Sequence, residues 1–242
     1  ANLADCLASL EGIAQQIVVV DTNSTDGTLE IAKNHGAVIS QPADWPGFGP
    51  QKNRALDLAT GDWVLSLDAD ERLTSALRSE ILAAISHSTH VDCFAIPRLS
   101  WYCGRFIHHS GWSPDYVDRL FKRGTARFSD DLVHERLLPN GEVAKLKNSM
   151  LHYSFMNLTQ VREKMERYST ASANQEFLKG RVSSPLQAIL HGAWAFIRTY
   201  ILRAGFMDGP QGFSLAYANA QGSFWKYIKL WRLNKAAESE SK

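Results

Sequence analysis

Three carboxylates stand at the ends of two apolar runs that lie close together in the chain. Ile17-Val18-Val19-Val20 stops on Asp21, and Trp63-Val64-Leu65-Ser66-Leu67 stops on Asp68-Ala69-Asp70. Runs of this kind suit strands buried on both faces of a parallel sheet. Ligands of open α/β sheets bind beyond the carboxyl ends of the strands, so Asp21, Asp68 and Asp70 are expected to line one crevice. Crowded carboxylates repel one another, which makes a divalent cation a natural companion. Alternate positions 68 and 70 present both side chains near one edge, a geometry for holding a metal and a sugar nucleotide together. Mg²⁺ or Mn²⁺ takes one or two carboxylates plus substrate phosphates. The plainer alternative for Asp68-Ala69-Asp70 is an acidic turn capping the next helix.

Other groups could join this chemistry. Lys52, Asn53 and Arg54 follow a loop dense in Pro and Gly, residues 42–50. A helix N-terminus with basic side chains suits a diphosphate, and a solvated helix face is the alternative. Trp45 and Trp112 lie in glycine-flanked loops and are candidates to stack on sugar faces. No Ser/His/Asp or Cys/His arrangement signals a nucleophile. Cys6, Cys93 and Cys103 match no zinc or redox spacing, which points to a reducing, cytoplasmic setting.

The elements that must position these groups are legible in part. Leu3, Leu7 and Leu10 recur at helical spacing. A strand to Asp21 is followed by a helix over Gly27 to Asn34, capped by Asp26, and by a short strand at Ala37-Val38-Ile39. The spacing predicts a helix from Gln51 to Ala59, the strand ending at Asp68, and a helix from Thr74 to about Ser86. This order is an α/β signature. Phe94–Arg98, Asp118–Lys122 and Ala126–Phe128 read as strands of a mixed or antiparallel section, and Pro139–Glu142 as a turn. From Thr159 the chain reads helical: Thr159 to Lys179, Pro185 to Arg203, a break at Gly205–Gly212, then Ser214 to Leu233 and a frayed tail at Ala236–Lys242.

The formal net charge is only +1, which argues against a surface that coats nucleic acid. The charge is uneven, however. Residues 1–150 hold 14 Lys+Arg against 19 Asp+Glu, and residues 151–242 hold 12 against 6. Leu186 to Phe206 is apolar and aromatic but contains Arg198 and Arg203. Two arginines oppose a bilayer span, and an interfacial helix on an anionic membrane surface fits better. Packing on the rest of the chain is the alternative.

The motifs together resemble a known family. Val-Val-Val-Asp-x-x-Ser-x-Asp-Gly-Thr ending at Thr28, Gln51-Lys52-Asn53-Arg54, and Gly61 to Glu71 are similar to family 2 glycosyltransferases of the GT-A fold. Asp118–Arg123, Val133-His134-Glu135-Arg136, Leu151–Ser154 and Gly205-Phe206-Met207-Asp208-Gly209 resemble bacterial lipopolysaccharide-core β-1,4-glucosyltransferases, which transfer glucose to an inner-core heptose. The resemblance implies roles. Asp21 would bond the uracil ring, and Ser24, Lys52, Asn53, Arg54 and Asp68 would complete the nucleotide-sugar set. Asp70, with Asp68 and His152, would hold Mg²⁺ or Mn²⁺. Glu135 would be the general base that deprotonates the acceptor hydroxyl.

These readings imply an inverting, metal-dependent hexosyltransferase using a UDP-sugar, with UDP-glucose as donor and a lipid-linked core oligosaccharide as acceptor. It would work in the cytoplasm, peripherally on the inner face of the bacterial inner membrane. Same-fold transfer to a polyprenyl phosphate or a protein is the nearest rival, and a silent sugar-nucleotide-binding protein is another. The expected organisation is a catalytic domain at 1–155, its GT-A-like sheet sandwiched by helices, and a helical, membrane-associating extension at 156–242. Members of the family begin with a strand ending near an Asn-Glu pair. That first strand is missing ahead of Asn2, so the chain is expected to be either a fragment or a less stable and less active relative.

Overall fold

The structure, a computed structural model, describes residues 2–87, 90–131 and 135–240. Val133 and His134 of the motif above, and Ser241 and Lys242 of the tail, lie outside the described residues. The chain divides into two compact units, residues 1–99 with 115–152, and residues 100–114 with 153–242.

The first unit is α/β. Helix α1 (Leu3–Ala8) leads to β1 (Val18–Val20), α2 (Thr28–Asn34) and β2 (Val38–Ser40). Strands β1 and β2 pair in parallel, with Val19 opposite Ile39. Helix α3 (Phe48–Asp57), β3 (Trp63–Leu65), β4 (Glu71–Arg72) and α4 (Ser75–His87) follow. Thr74 Oγ1 accepts from Leu77 N at 3.2 Å, so Thr74 caps α4 as expected; α2 starts one residue later than expected, with Gly27 at its N-cap position and Asp26 before it, Asp26 Oδ1 accepting from Thr28 N at 3.0 Å.

The remaining strands are β5 (Cys93–Tyr102), β6 (Arg105–Phe106), β7 (Asp115–Lys122), β8 (Ala126–Phe128), β9 (Leu137–Pro139), β10 (Val143–Lys145) and β11 (Met150–Phe155). Among the described residues, the main sheet runs β3-β7-β5-β11-β4. Residues Leu73, Leu77, Ile81, Phe94, Ile96, Leu120, Leu146 and Met150 form its core under α4.

Two expectations need correction. Strands β1 and β3 do not share a parallel sheet: β1 pairs with β2, while β3 runs antiparallel to β7 with Leu65 opposite Leu120. Neither strand is fully buried. An apolar run marks a strand but neither its depth nor its partner, which is chosen across tens of residues of chain. Helix α3 also begins at Phe48, three residues before Gln51. Pro50 falls in its first turn, where no N–H is owed to the helix.

The second unit holds α5 (Leu158–Leu178), α6 (Pro185–Ile197) and α7 (Gly209–Glu240). A capping box of Ser184 and Gln187 starts α6. Gly192 brings α6 against α7, since a Cβ there would lie 3.2 Å from the Ala220 carbonyl and from Phe224 Cβ. Lys229 Nζ ties α7 to α5 through Glu166 Oε1 at 2.6 Å and Ser169 Oγ at 2.9 Å. The helix read as continuing to Arg203 instead opens into a π-turn at Arg198–Leu202 and reverses at Ala204, φ +51°. The break is confined to the 3₁₀ turn Gly205–Asp208, and α7 runs through the tail to Glu240.

Buried Asp208 organises that turn. Its carboxylate accepts from His108 N, His109 N and Ser110 Oγ, each at 3.0 Å. Burial opposes its charge, but these hydrogen bonds outweigh burial and hold its pKa below the ordinary value. The Gly205–Gly209 motif is thus a structural knot of this unit. Trp112 packs against Tyr102 and Phe155 there.

Candidate functional site

The site residues of the first unit are gathered by α3 and by the carboxyl end of β3. Helix α3 is wedged in place, because a Cβ on Gly49 would land on the Ser129 carbonyl. Asn53 locks it further: its Nδ2 donates to Phe128 O and its Oδ1 accepts from Phe128 N, both at 2.9 Å. From this fixed helix, Gln51 Nε2 donates to Thr22 Oγ1 at 2.5 Å, beside Asp21. Lys52 Nζ lies 2.9 Å from Asp68 Oδ1 and 3.0 Å from Glu135 Oε1. Helix α3 therefore reaches the loop after β1, the turn after β3 and the segment carrying Glu135.

Asp68 is held on its other side as well. Arg119 Nη2 reaches Asp68 Oδ2 at 2.5 Å and Glu71 Oε1 at 2.6 Å. The β3–β7 register sets this contact, with Ser66 N donating to Arg119 O at 2.8 Å. Glu71 is wholly buried, and its Oε2 accepts from Asp68 N at 2.9 Å. Arg98 adds a more distant cation, 3.7 Å from Glu71. Burial works against the Asp68 charge, yet Arg119 and Lys52 together hold its pKa far below the carboxylate range. Burial raises the Glu71 pKa, and neighbouring Asp68 adds to the rise against the pull of Arg119. The same pair of acids raises the pKa of Arg119 against the effect of its own burial.

Asp70 occupies the turn beyond Asp68, and His152 Nε2 stands 3.5 Å from Asp70 Oδ2. The antiparallel pairing of β4 with β11 makes this contact by setting His152 opposite Glu71. The negative field of the turn reaches inward to the Cys6 thiol, whose pKa is pushed up to about 12 by burial and then by Glu71, Asp70 and Asp68.

Seven of the residues singled out in the sequence fall into three groups. Asp68, Lys52 and Glu135 form one contiguous cluster, and Asp70 with His152 forms a pair beside it. Asp21 is buried at the end of β1, where Ser24 N donates to its Oδ2 at 3.1 Å and Ser24 Oγ to its Oδ1. Each carboxylate oxygen has a second lone pair to offer. Arg54 and Asn53 turn elsewhere: Arg54 Nη2 pairs with both oxygens of Asp44, at 2.8 and 3.0 Å, and Asn53 serves the Phe128 backbone. Trp45 is exposed and meets Phe48 edge-on.

The sequence reading missed Arg119 and Glu71 as members. Their signal was present, as an arginine directly before the buried Leu120-Phe121 pair of β7 and an acid three residues after Asp68. A buried charge in a strand requires a partner of opposite sign.

The donor types fit a divalent cation at Asp70 and His152 and fit it poorly at Asp68. A carboxylate and an imidazole 3.5 Å apart, both partly open to solvent, match the one or two protein ligands that Mg²⁺ or Mn²⁺ takes beside phosphate oxygens. Both Asp68 oxygens already serve cationic side chains. Among the described residues no three His, Cys, Asp or Glu side chains gather into a metal cage, so such a cation would draw its other ligands from substrate and water.

The family model described as glycosyl transferase family 2 matches residues 1–140. The chain is 29% identical over 243 residues to the lipopolysaccharide core biosynthesis glycosyltransferase LpsC of Rhizobium meliloti, covering 96% of this chain and 88% of that protein. It is 29% identical over 246 residues to an uncharacterized glycosyltransferase of Rickettsia typhi, covering 97% and 84%. Among solved structures, S. aureus TarS residues 1–349 in complex with UDP-GlcNAc aligns with a TM-score of 0.50 and 15% identity, covering 97% of this chain and 88% of that one. At that identity the likeness is one of fold, and it agrees with the α/β architecture expected from the motifs.

Proposed function

The chain belongs to glycosyl transferase family 2, and from that premise we propose that it is an inverting transferase moving a hexose from a UDP-sugar, UDP-glucose first, to a heptose of a lipid-linked lipopolysaccharide core. The observation that carries this reading is the meeting of Lys52, Asp68 and Glu135 beside the Asp70–His152 pair. Asp21 and Ser24 sit at the nucleoside end of the proposed site. The diphosphate lies toward Asp70 and His152, which would hold Mg²⁺ or Mn²⁺. That cation supplies an offset for the charge growing on the departing nucleoside diphosphate. Glu135 takes the proton of the acceptor hydroxyl as its oxygen attacks the sugar carbon from the face opposite the nucleotide. The bond to the diphosphate breaks as the new one forms, and the configuration inverts. LpsC, whose name assigns it to lipopolysaccharide core biosynthesis, supports the acceptor class.

The second unit supports action at a membrane surface. Leu186, Ile189, Leu190, Trp194 and Ile197 recur at spacings of three and four along α6 and are all exposed. Arg198 and Arg203 follow, exposed, with Ile201 and Leu202. Among the described residues, no helix is long and apolar enough to cross a membrane. An amphipathic face lying in the headgroup plane of an anionic leaflet fits this pattern.

The test is UDP release from UDP-glucose with Mg²⁺ or Mn²⁺ and a heptose-terminated core glycolipid. Asp70→Ala should reduce turnover at least about a hundredfold with the unfolding midpoint nearly unchanged, because this turn carboxylate is partly solvent-exposed. Full turnover in the variant would refute the metal role. Absence of metal-stimulated transfer in the unaltered protein with every UDP-hexose tried would refute the proposal.

A further inference from the structure

We propose that Lys52 is a positioning residue that ties the base Glu135 to Asp68, fixing where the acceptor proton is taken relative to the donor. This goes beyond the expectation that Lys52 grips the diphosphate, and it rests on the reading of Glu135 as base.

The geometry gives Lys52 two acidic partners on either side of its ammonium, Asp68 Oδ1 at 2.9 Å and Glu135 Oε1 at 3.0 Å. Its side chain is only 17% exposed, and its ammonium lies 5.5 Å from the centre of the Phe128 ring, which covers one side. An ammonium bonded to two carboxylates in a partly desolvated position is a strong, directional tether. The other ends of the tether are rigid. Asp68 is clamped by Arg119 at the opposite oxygen. The stem of Lys52 rises from α3, which the Gly49–Ser129 approach and the paired Asn53–Phe128 hydrogen bonds fix to the backbone entering the Glu135 segment. Glu135 lies two residues before β9, its backbone anchored through Arg136, whose O accepts from Ser129 N at 2.8 Å and whose N donates to Ser129 Oγ at 3.0 Å, and its carboxylate is left to be oriented separately. Lys52 supplies that orientation from a fixed helix.

Helix α3 then acts as the spine of the site. Gln51 holds Thr22 next to Asp21, Lys52 holds Asp68 and Glu135, and Asn53 holds β8. Three consecutive residues can do this because successive helical side chains point about 100° apart. A base held at one place contributes by orientation, and a displacement of about 1 Å can cost about a hundredfold in rate.

The experiment compares Lys52→Met, Lys52→Arg and Glu135→Gln with the unaltered protein. Steady-state transfer is measured from UDP-glucose to a heptose-terminated core glycolipid, and UDP binding in the presence of Mg²⁺ by calorimetry. Thermal unfolding establishes that each variant is folded. Glu135→Gln should be folded and slowed by about 10²–10⁴-fold. Lys52→Met should lose about a hundredfold in kcat, with UDP affinity and the donor KM within about threefold. Lys52→Arg should recover a large part of kcat, since a guanidinium can bridge two carboxylates. In the double variant Lys52→Met/Glu135→Gln, the Lys52 change should cost little further, because the base it positions is gone.

A loss of UDP affinity of tenfold or more in Lys52→Met, with kcat preserved at saturating donor, would assign Lys52 to the diphosphate and overturn the proposal. Unchanged kcat and unchanged affinity would overturn it too. If Glu135→Gln keeps full activity, the base reading fails independently of what the Lys52 variants do. Should Lys52→Met not fold, Lys52→Arg and Lys52→Gln carry the same comparison.

Discussion

The two units depart from the ordinary distribution of polar and apolar side chains in opposite directions. The first places charge inside: Glu71 is 0% exposed and Arg119 only 5%. The second places apolar groups outside, with Leu186 at 66% and Trp194 at 52% exposure on α6. The second unit has a buried acid too, but Asp208 spends its charge on backbone and hydroxyl donors of one loop. Glu71 and Asp68 spend theirs on a buried guanidinium. Neither departure follows from the demands of a stable core, since both charge burial and apolar exposure cost free energy. Where a fold gives up local consistency, function is the usual reason. The difference is the basis of the proposed division of labour, with the candidate site in the first unit and an exposed apolar face in the second.

The largest effect that would break this comparison is in the buried network. Arg119→Met leaves Glu71 sealed without its main cation and Asp68 with Lys52 alone. Removing one partner of a buried ion pair costs about 3–5 kcal/mol, so urea denaturation should show a loss of that order. A loss below about 1 kcal/mol would mean that the network is solvated and that charge is not buried here in any energetic sense.

The surface side of the comparison predicts the reverse: stability kept and binding lost. Leu190→Glu with Trp194→Glu should leave the unfolding free energy within about 0.5 kcal/mol. Retention on vesicles containing anionic phospholipid should fall by tenfold or more, since burying each such side chain is worth about 1.5–3 kcal/mol. Strong destabilisation, or unchanged retention, would show that this face packs against protein and not lipid.

The smallest effect concerns pH. The Asp68 pKa is lower in the fold than in the unfolded chain, so near its titration the unfolded state binds more protons and stability rises with pH. Its contribution is complete above the ordinary value of 3.8 and fades as pH falls through the lower folded value. Glu71, with its raised pKa, contributes with the opposite sign, losing stability as pH rises past its ordinary value. Asp68→Asn should therefore flatten the acid limb of a denaturation series from about pH 5 to about pH 2. An unaltered slope would mean that the Arg119 and Lys52 contacts do not act on the titration of Asp68.

Much of the site was legible from local pattern. The run Val18-Val19-Val20 before Asp21 and the run from Trp63 marked β1 and β3, although β3 stops at Leu65, three residues short of Asp68. Thr74 and Asp26 marked helix starts because their oxygens satisfy nearby N–H groups. What escaped was everything that depends on partners. The runs of β1 and β3 suit strands of a parallel sheet, yet β1 pairs with β2 and β3 runs antiparallel to β7. Arg54, read as a phosphate ligand, went to Asp44 in the loop ten residues before it.

Sequence alone determined the residue types at the strand ends, the helical periods and the family to which the motifs belong, because these arise from interactions among neighbours in the chain. The tertiary structure decided that Asp68 meets Arg119, 51 residues away, and that Lys52 meets Glu135, 83 residues away. Those pairings follow from the β3–β7 register and from the close approach of α3 at Gly49. Both are set by how whole elements pack, and no local spacing encodes them.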